Sequence, residues 1–225
     1  MSVPFSPIRS FVRRDSRFTR AQKEAIEQDW DRYVLPRCDG TAALVASFGR
    51  QSAVSLEIGS GDGTCILELA VQRPDEDFLA VDVHRPGLGR LLNRAKSGGL
   101  SNIRVSDQDI FELIDPAIEP LFEKVMIFFP DPWPKTRHRK RRMLQARFFD
   151  FLECKLHRHG RVFIATDSRS YANSILKTME SLPRWVNLAG AGQFAPRAAF
   201  RPITKFESKA LAAGTTVFDF CFARR

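Results

Sequence analysis

The sequence predicts an α/β fold: a doubly wound, Rossmann-like parallel sheet with helices on both faces. Three observations carry this. From residue 53 onward, short apolar runs alternate with segments whose apolar residues recur every three to four positions. Gly59, Gly61 and Gly63 alternate in the connection between the first such run and the first such helix. The run "KVMIFF", residues 124–129, is continuously apolar, as a central strand covered on both faces would be. A chain of 225 residues, 44% hydrophobic, suits one such domain with little room for a second core. We therefore expect a single domain over 1–225, with a basic arm at 1–18, a helical segment at 19–52 and the α/β core at 53–225.

The elements follow in order. Residues 19–35, "TRAQKEAIEQDWDRYVL", read as a helix: Thr19 and Gln22 have capping-box spacing, and Ala25, Ile26, Trp30 and Tyr33 or Val34 recur near helical period. "AVSLEI" (53–58) is the first strand and "TCILELAVQR" (64–73) the helix after it. "FLAVDV" (78–83) is the second strand, followed by a helix over 86–99, and "NIRVS" (102–106) is the third. After the fourth strand, 124–129, the repeat of Leu144, Phe148, Phe151 or Leu152, and Lys155 or Leu156 predicts another helix. "RVFIAT" (161–166) is the fifth strand, 170–180 a helix, and "TTVFDFCFA" (215–223) alternates as a final strand. In such a sheet, ligands bind outside the carboxyl ends of the strands.

Charge narrows the partner. The chain carries 35 Lys and Arg against 26 Asp and Glu, a net charge of +9. The excess is concentrated. Arg9, Arg13, Arg14, Arg17 and Arg20 face only Asp15, and Lys135, Arg137, Arg139, Lys140, Arg141, Arg142 and Arg147 face no acid within their run. Two such patches point to a polyanion such as nucleic acid. No apolar run approaches membrane-spanning length, and the amino-terminal residues lack an apolar signal core. Abundant Arg and Ser there leave a transit peptide as the alternative to a cytoplasmic location. Cys38, Cys65, Cys154 and Cys221 are scattered, without Cys-x-x-Cys spacing, and the four histidines complete no metal motif. The expectation is reduced, mostly buried thiols and no metal.

Acidic residues mark the candidate site. Glu57 ends the first strand just before the glycines, where it would repel a pyrophosphate and suit a ligand bearing an ammonium or sulfonium group. The third glycine also falls one residue short of a dinucleotide loop, with Thr64 in its place. Asp82 ends the second strand, where an acid accepts ribose hydroxyls. Asp109 follows the third, within reach of an adenine amino group; any one of these acids taken singly reads better as a solvated loop acid, or for Asp109 a helix cap, and it is three at the ends of three successive strands that point to a site. Asp131 follows the fourth, in "FFPDPWPKTRHRKRR" (128–142). Pro130 and Pro132 stiffen its turn, Phe129 and Trp133 offer walls for a flat base, and the cations beyond offer contacts to phosphate.

The stretch Glu57-x-Gly59-x-Gly61-x-Gly63 resembles the S-adenosylmethionine loop of class I methyltransferases. The whole chain is similar to the bacterial single-chain tRNA (guanine-N7-)-methyltransferases. The similarity runs through "IRSFVRR", "TRAQ", "LEIGSGDG", "VDVHRPG", "SNIRVSDQD", "FFPDPWPKTRHRKRR", "ATDSRSYA" and "RPITKFESKA". The resemblance implies a class I sheet with an antiparallel carboxyl-terminal strand, and methyl transfer from S-adenosylmethionine to N7 of a guanine in the tRNA variable loop. It implies cofactor contacts from Glu57, Gly59, Gly61, Asp82, Asp109 and Asp131, with Asp131 also catalytic. Lys135, Asp167, Thr204, Lys205, Phe206 and Glu207 are implied to contact tRNA. The expected partner is tRNA alone, with no obligatory protein partner and no membrane, for a monomer or homodimer. Asp82 departs from the pattern, which often has Glu, and leaves the ribose geometry open. Three other readings remain: an amino-methyltransferase acting on adenine or cytosine, a non-catalytic RNA-binding protein, and a dinucleotide oxidoreductase. They are opposed respectively by the order Asp131–Pro132–Trp133–Pro134, by the intact acid and glycine loop, and by Glu57.

Overall fold

The computed structural model describes residues 17–115 and 119–225; the basic arm expected over 1–18 falls, except for Arg17 and Phe18, outside the described residues. The first helix, α1 (Arg20–Tyr33), begins as its sequence requires: the Thr19 hydroxyl accepts from the Gln22 amide, and the Gln22 side chain accepts from the Thr19 amide at 2.8 Å. A second short helix, α2 (Thr41–Phe48), ends at Gly49 in the left-handed conformation.

The alternating part then runs β1 (Val54–Ile58), α3 (Thr64–Gln72), β2 (Asp77–Val81), α4 (Arg85–Ser97), β3 (Ile103–Ser106), α5 (Ile110–Leu113) and β4 (Phe122–Phe128). It continues with a 3-10 turn (Thr136–Arg141), α6 (Ala146–Glu153), β5 (Leu156–Thr166), α7 (Arg169–Glu180), β6 (Trp185–Asn187), α8 (Lys205–Ala212) and β7 (Phe218–Arg224). The seven strands form one sheet in the order β3-β2-β1-β4-β5-β7-β6. Strands β1 to β5 pair in parallel, whereas β7 is antiparallel to both β5 and β6. The strand order reverses between β1 and β4, the switch point where a doubly wound sheet opens a crevice.

Burial explains the near-continuous apolar character of the central strands. All five residues of β1 and of β2 are buried, and so are the last four of β4. One apolar layer packs Leu56, Val125, Ile127, Phe148, Leu152 and Ile175 on one face. The other packs Phe78, Met126, Leu69, Leu88 and Leu91 on the opposite face. No helix among the described residues is long and apolar enough to cross a membrane.

Two expectations change. The helix expected over Leu144 to Lys155 or Leu156 runs only from Ala146 to Glu153, with Leu156 already opening β5, and the cationic run before it forms a six-residue 3-10 turn. Like charges three and four residues apart repel on an α-helix, and the stretch follows a proline-rich turn. The cysteines are free and only Cys38 and Cys65 are buried; Cys154 is exposed and Cys221 half-buried. A cavity of about 320 Å³, lined in part by Phe48, Arg50, Asp77 and His157, lies at the amino ends of the strands, away from the crevice.

Candidate active site

Glu57, the glycine loop, Asp82 and the turn after β4 lie at the carboxyl edge around the switch point. Glu57 is 3% exposed on β1, and its Oε2 has no hydrogen-bond partner among the described residues. Burial pushes its carboxyl up to about 8; the Ile66 amide and the Cys65 thiol oppose that, while Asp82 and Asp62 add to it. A buried carboxyl with one unpartnered oxygen fits a site that receives a cationic group.

The loop beside it is shaped by backbone. Gly59 and Gly61 have φ of 80° and 57°, and no heavy atom lies within 4 Å of where a Cβ would stand on either, so open space faces both. The loop is tied to the second strand: the Gly61 amide donates to Asp82 Oδ2 at 2.7 Å, and the His84 amide donates to Asp82 Oδ1 at 2.7 Å. Burial raises the Asp82 carboxyl and the nearby Asp131 charge raises it further, against the pull of those two amides. Each oxygen keeps a lone pair for a ligand hydroxyl. Gly87, in the first turn of α4, carries no signal in the sequence. A Cβ there would stand 2.5 Å from the Gly61 carbonyl oxygen, so the helix packs on the loop through bare backbone. Asp62 bonds the Thr64 hydroxyl and Lys205 Nζ, at 2.7 and 2.9 Å. Burial pushes its carboxyl up, but these partners outweigh it and hold the group at about 2.

Asp109 caps α5, its side chain accepting from the Phe111 amide at 3.0 Å. Asp131 is exposed, and the chain around it is strained: Phe129 and Trp133 have φ of 55° and 41°, the left-handed region that non-glycine residues avoid. Arg141 lies over the Trp133 ring at 4.7 Å, and His138 meets it edge-on at 5.9 Å. Arg142 is 4% exposed; it donates to the Pro132 carbonyl at 2.8 Å and to Ser170, and covers the Tyr171 ring. Two members of the cationic run are therefore engaged by the turn, while Lys135, Arg137, Arg139 and Lys140 are exposed.

Asp167 is exposed just beyond β5, the strand beside β4. Thr204 caps α8, and Lys205 is exposed although it pairs with Asp62. The Phe206 side chain lies outside what is described. Glu207 is 1% exposed, held by Arg197 (Nε to Oε1, 2.8 Å) and Arg201 (Nη1 to Oε2, 2.8 Å). Sequence reasoning missed the roles of Arg197 and Arg201, because neither motif nor period shows that both arginines grip Glu207 and that Arg201 also grips Asp219.

Comparison with known proteins decides the family. The profile of a family described as "Putative methyltransferase" matches residues 51–220. A tRNA (guanine-N(7)-)-methyltransferase of Pseudomonas fluorescens SBW25 is 44% identical over 218 residues, spanning 96% of this chain and 90% of that protein. The chain belongs to the tRNA (guanine-N(7)-)-methyltransferase family. A further relative of the same name, from Escherichia coli UTI89, is 40% identical across 98% of this chain and 93% of its own length. Solved structures agree on the family's fold. The 16S rRNA methyltransferase KamB matches with a TM-score of 0.60 at 13% identity, over 85% of this chain and 97% of that one. TrmN from Thermus thermophilus matches with a TM-score of 0.54 at 19% identity, over 82% and 48%. The mostly parallel sheet with an antiparallel β7 is thus a class I methyltransferase sheet.

Proposed function

We propose that this chain methylates N7 of a guanine in the variable loop of tRNA in the cytoplasm, with S-adenosylmethionine as the methyl donor. The observation that carries the reading is the meeting of Glu57, the open glycine loop, Asp82 and Asp131 at one sheet edge in a chain of this family. When bound, S-adenosylmethionine supplies the methyl group and its own leaving group, so the transfer calls for no Lewis acid.

The chain's residues hold and orient. Glu57 attracts the ligand's cationic end, directly or by ordering the glycine loop; Gly59 and Gly61 let backbone approach it, and Asp82 accepts from the ribose. Asp109, already capping α5, is assigned to the adenine side. Guanine N7 has a free lone pair and no proton, so no general base is needed to expose it. Asp131 accepts hydrogen bonds from the guanine N1–H and amino group, aligns N7 for in-line attack and opposes the positive charge that grows on the ring. Asp167 supports it from the neighbouring strand. Lys135 and Lys205 hold tRNA phosphates, while Thr204, Phe206 and Glu207 complete the substrate-binding segment. Neither a metal nor a second protein enters this scheme, and it serves a monomer or a homodimer alike.

The test is incubation of unmodified tRNA with isotopically labelled S-adenosylmethionine and the purified protein, followed by digestion and mass spectrometry of nucleosides. Labelled 7-methylguanosine supports the reading. Label in a methylated adenosine or cytidine, or none, overturns it.

A further inference from the structure

We infer that Arg201 is a positioning residue for methyl transfer, holding the Phe129 turn and, through it, Asp131. The inference rests on the activity proposed above. Arg201 is 0% exposed, among the largest fully buried side chains among the described residues. Its Nη1 donates to Glu207 Oε2 at 2.8 Å, and its Nη2 to Asp219 Oδ1 and Oδ2 at 2.8 and 3.1 Å. Its Nε is buried with no partner among the described residues. A buried guanidinium with one orphaned donor is a poor way to gain stability, since apolar residues of similar volume serve as well. Its location supplies the other reason to keep it.

The guanidinium carbon lies 5.2 Å from the Phe128 ring centre and 5.7 Å from that of Phe129. Phe129 is left-handed, a state that persists only where the surroundings over-determine it. Two contacts do so. The Phe129 amide donates to the Ala165 carbonyl at 2.8 Å, and the cation holds the ring face. Both lead to the same place on β7, because Ala165 stands in register with Asp219, the acid that grips Arg201. Asp131 follows Phe129 by two residues, with Pro130 rigid between them. From the other side, Arg142 fixes the Pro132 carbonyl. The reactive acid is itself exposed, so its orientation depends on these two anchors.

The segment that carries Arg201 also reaches the other half of the site. Four residues on, Lys205 pairs with Asp62 of the glycine loop. That pair is a separate and largely exposed contact, so the grip of Arg201 acts on the Phe129 turn and not on the cofactor loop.

The test compares Arg201→Lys and Phe129→Leu, alone and together, using turnover at saturating tRNA, equilibrium titration with S-adenosylmethionine, and thermal melting. Arg201→Lys keeps the charge but loses the fork; Phe129→Leu removes the ring and leaves the ion pairs intact. Expected are a fall in kcat of about tenfold or more in each single variant, and cofactor affinity within about threefold of the parent. The double variant should be little worse than either, because both act through one contact. Parental kcat in folded Arg201→Lys, additive losses, or a loss confined to KM overturns the inference. If Arg201→Lys does not fold, parental turnover in Phe129→Leu overturns it. A parent that makes no 7-methylguanosine would instead sink the activity itself, so the two failures are distinguishable.

Discussion

Cofactor binding is expected to release a proton from Glu57 and to tighten as pH rises. In the unliganded chain this carboxyl is pushed up to about 8, by burial first and then by Asp82 and Asp62. At pH 7 it is therefore about nine-tenths protonated, whereas a cationic ligand favours the ionised form. Apparent affinity is reduced by the fraction that is competent. That fraction is about 1% at pH 6 and about 10% at pH 7, so affinity rises close to tenfold per pH unit across this range, where the ligand's own ammonium stays charged. Burial raises the Asp82 carboxyl as well. Asp62, held at about 2, does not titrate here.

The same shift has a stability consequence of defined sign. A carboxyl whose folded value lies above its unfolded value stabilises the protonated fold. That contribution is complete below about 4.5 and is lost as pH rises towards 8, for a total of roughly 5 kcal/mol at most. Glu57→Gln removes the titration. The variant should melt higher than the parent at pH 8 without ligand, and should bind S-adenosylmethionine more weakly, with no pH slope from this group. Isothermal titration in two buffers of different ionisation enthalpy reads the released proton, about 0.9 per ligand at pH 7. Affinity that is flat between pH 6 and pH 7.5, or calorimetry independent of the buffer, would refute the reasoning.

Four further outcomes are expected. Asp131→Ala should lower the single-turnover rate at saturating tRNA on the order of 10²-fold while leaving the melting curve in place, because the side chain is exposed. Replacing Arg137, Arg139 or Lys140 by Gln should flatten the plot of log tRNA affinity against log salt, by roughly 0.7–0.9 for each phosphate no longer neutralised. Arg142→Gln should instead cost roughly 2 kcal/mol in denaturant melts, because it removes the bonds to the Pro132 and Ser170 carbonyls. Gly87→Ala should weaken cofactor binding in titration, since the new Cβ would stand 2.5 Å from the Gly61 carbonyl and push the loop.

The framework was legible because its signals are local. Apolar runs marked β1 to β5, alternation marked β7 and period-3.6 patterns marked most of the long helices, although β5 starts at Leu156, ahead of the run expected over 161–166; the Thr19–Gln22 box placed the start of α1. Alternation of strand and helix also implied that the loops after parallel strands meet at one edge, which groups Glu57, Asp82, Asp109 and Asp131 from the sequence alone. The short elements α8 and β6 escaped, and α2 and α5 were marked only as part of the helical segment over 19–52 and by the cap reading of Asp109, since three to eight residues carry too few turns or alternations to stand out. Only the tertiary structure decided which charges face solvent. Arg142 reads like its neighbours in a cationic run yet is buried beneath the Asp131 turn, while Arg137 and Arg139 remain outside. Arg201 in the loop before α8, Glu207 in α8 and Asp219 in β7 meet in the fold. Pairings of that kind depend on how distant segments pack, and a buried charge leaves no period in sequence; its partners appear only when the sheet brings them together.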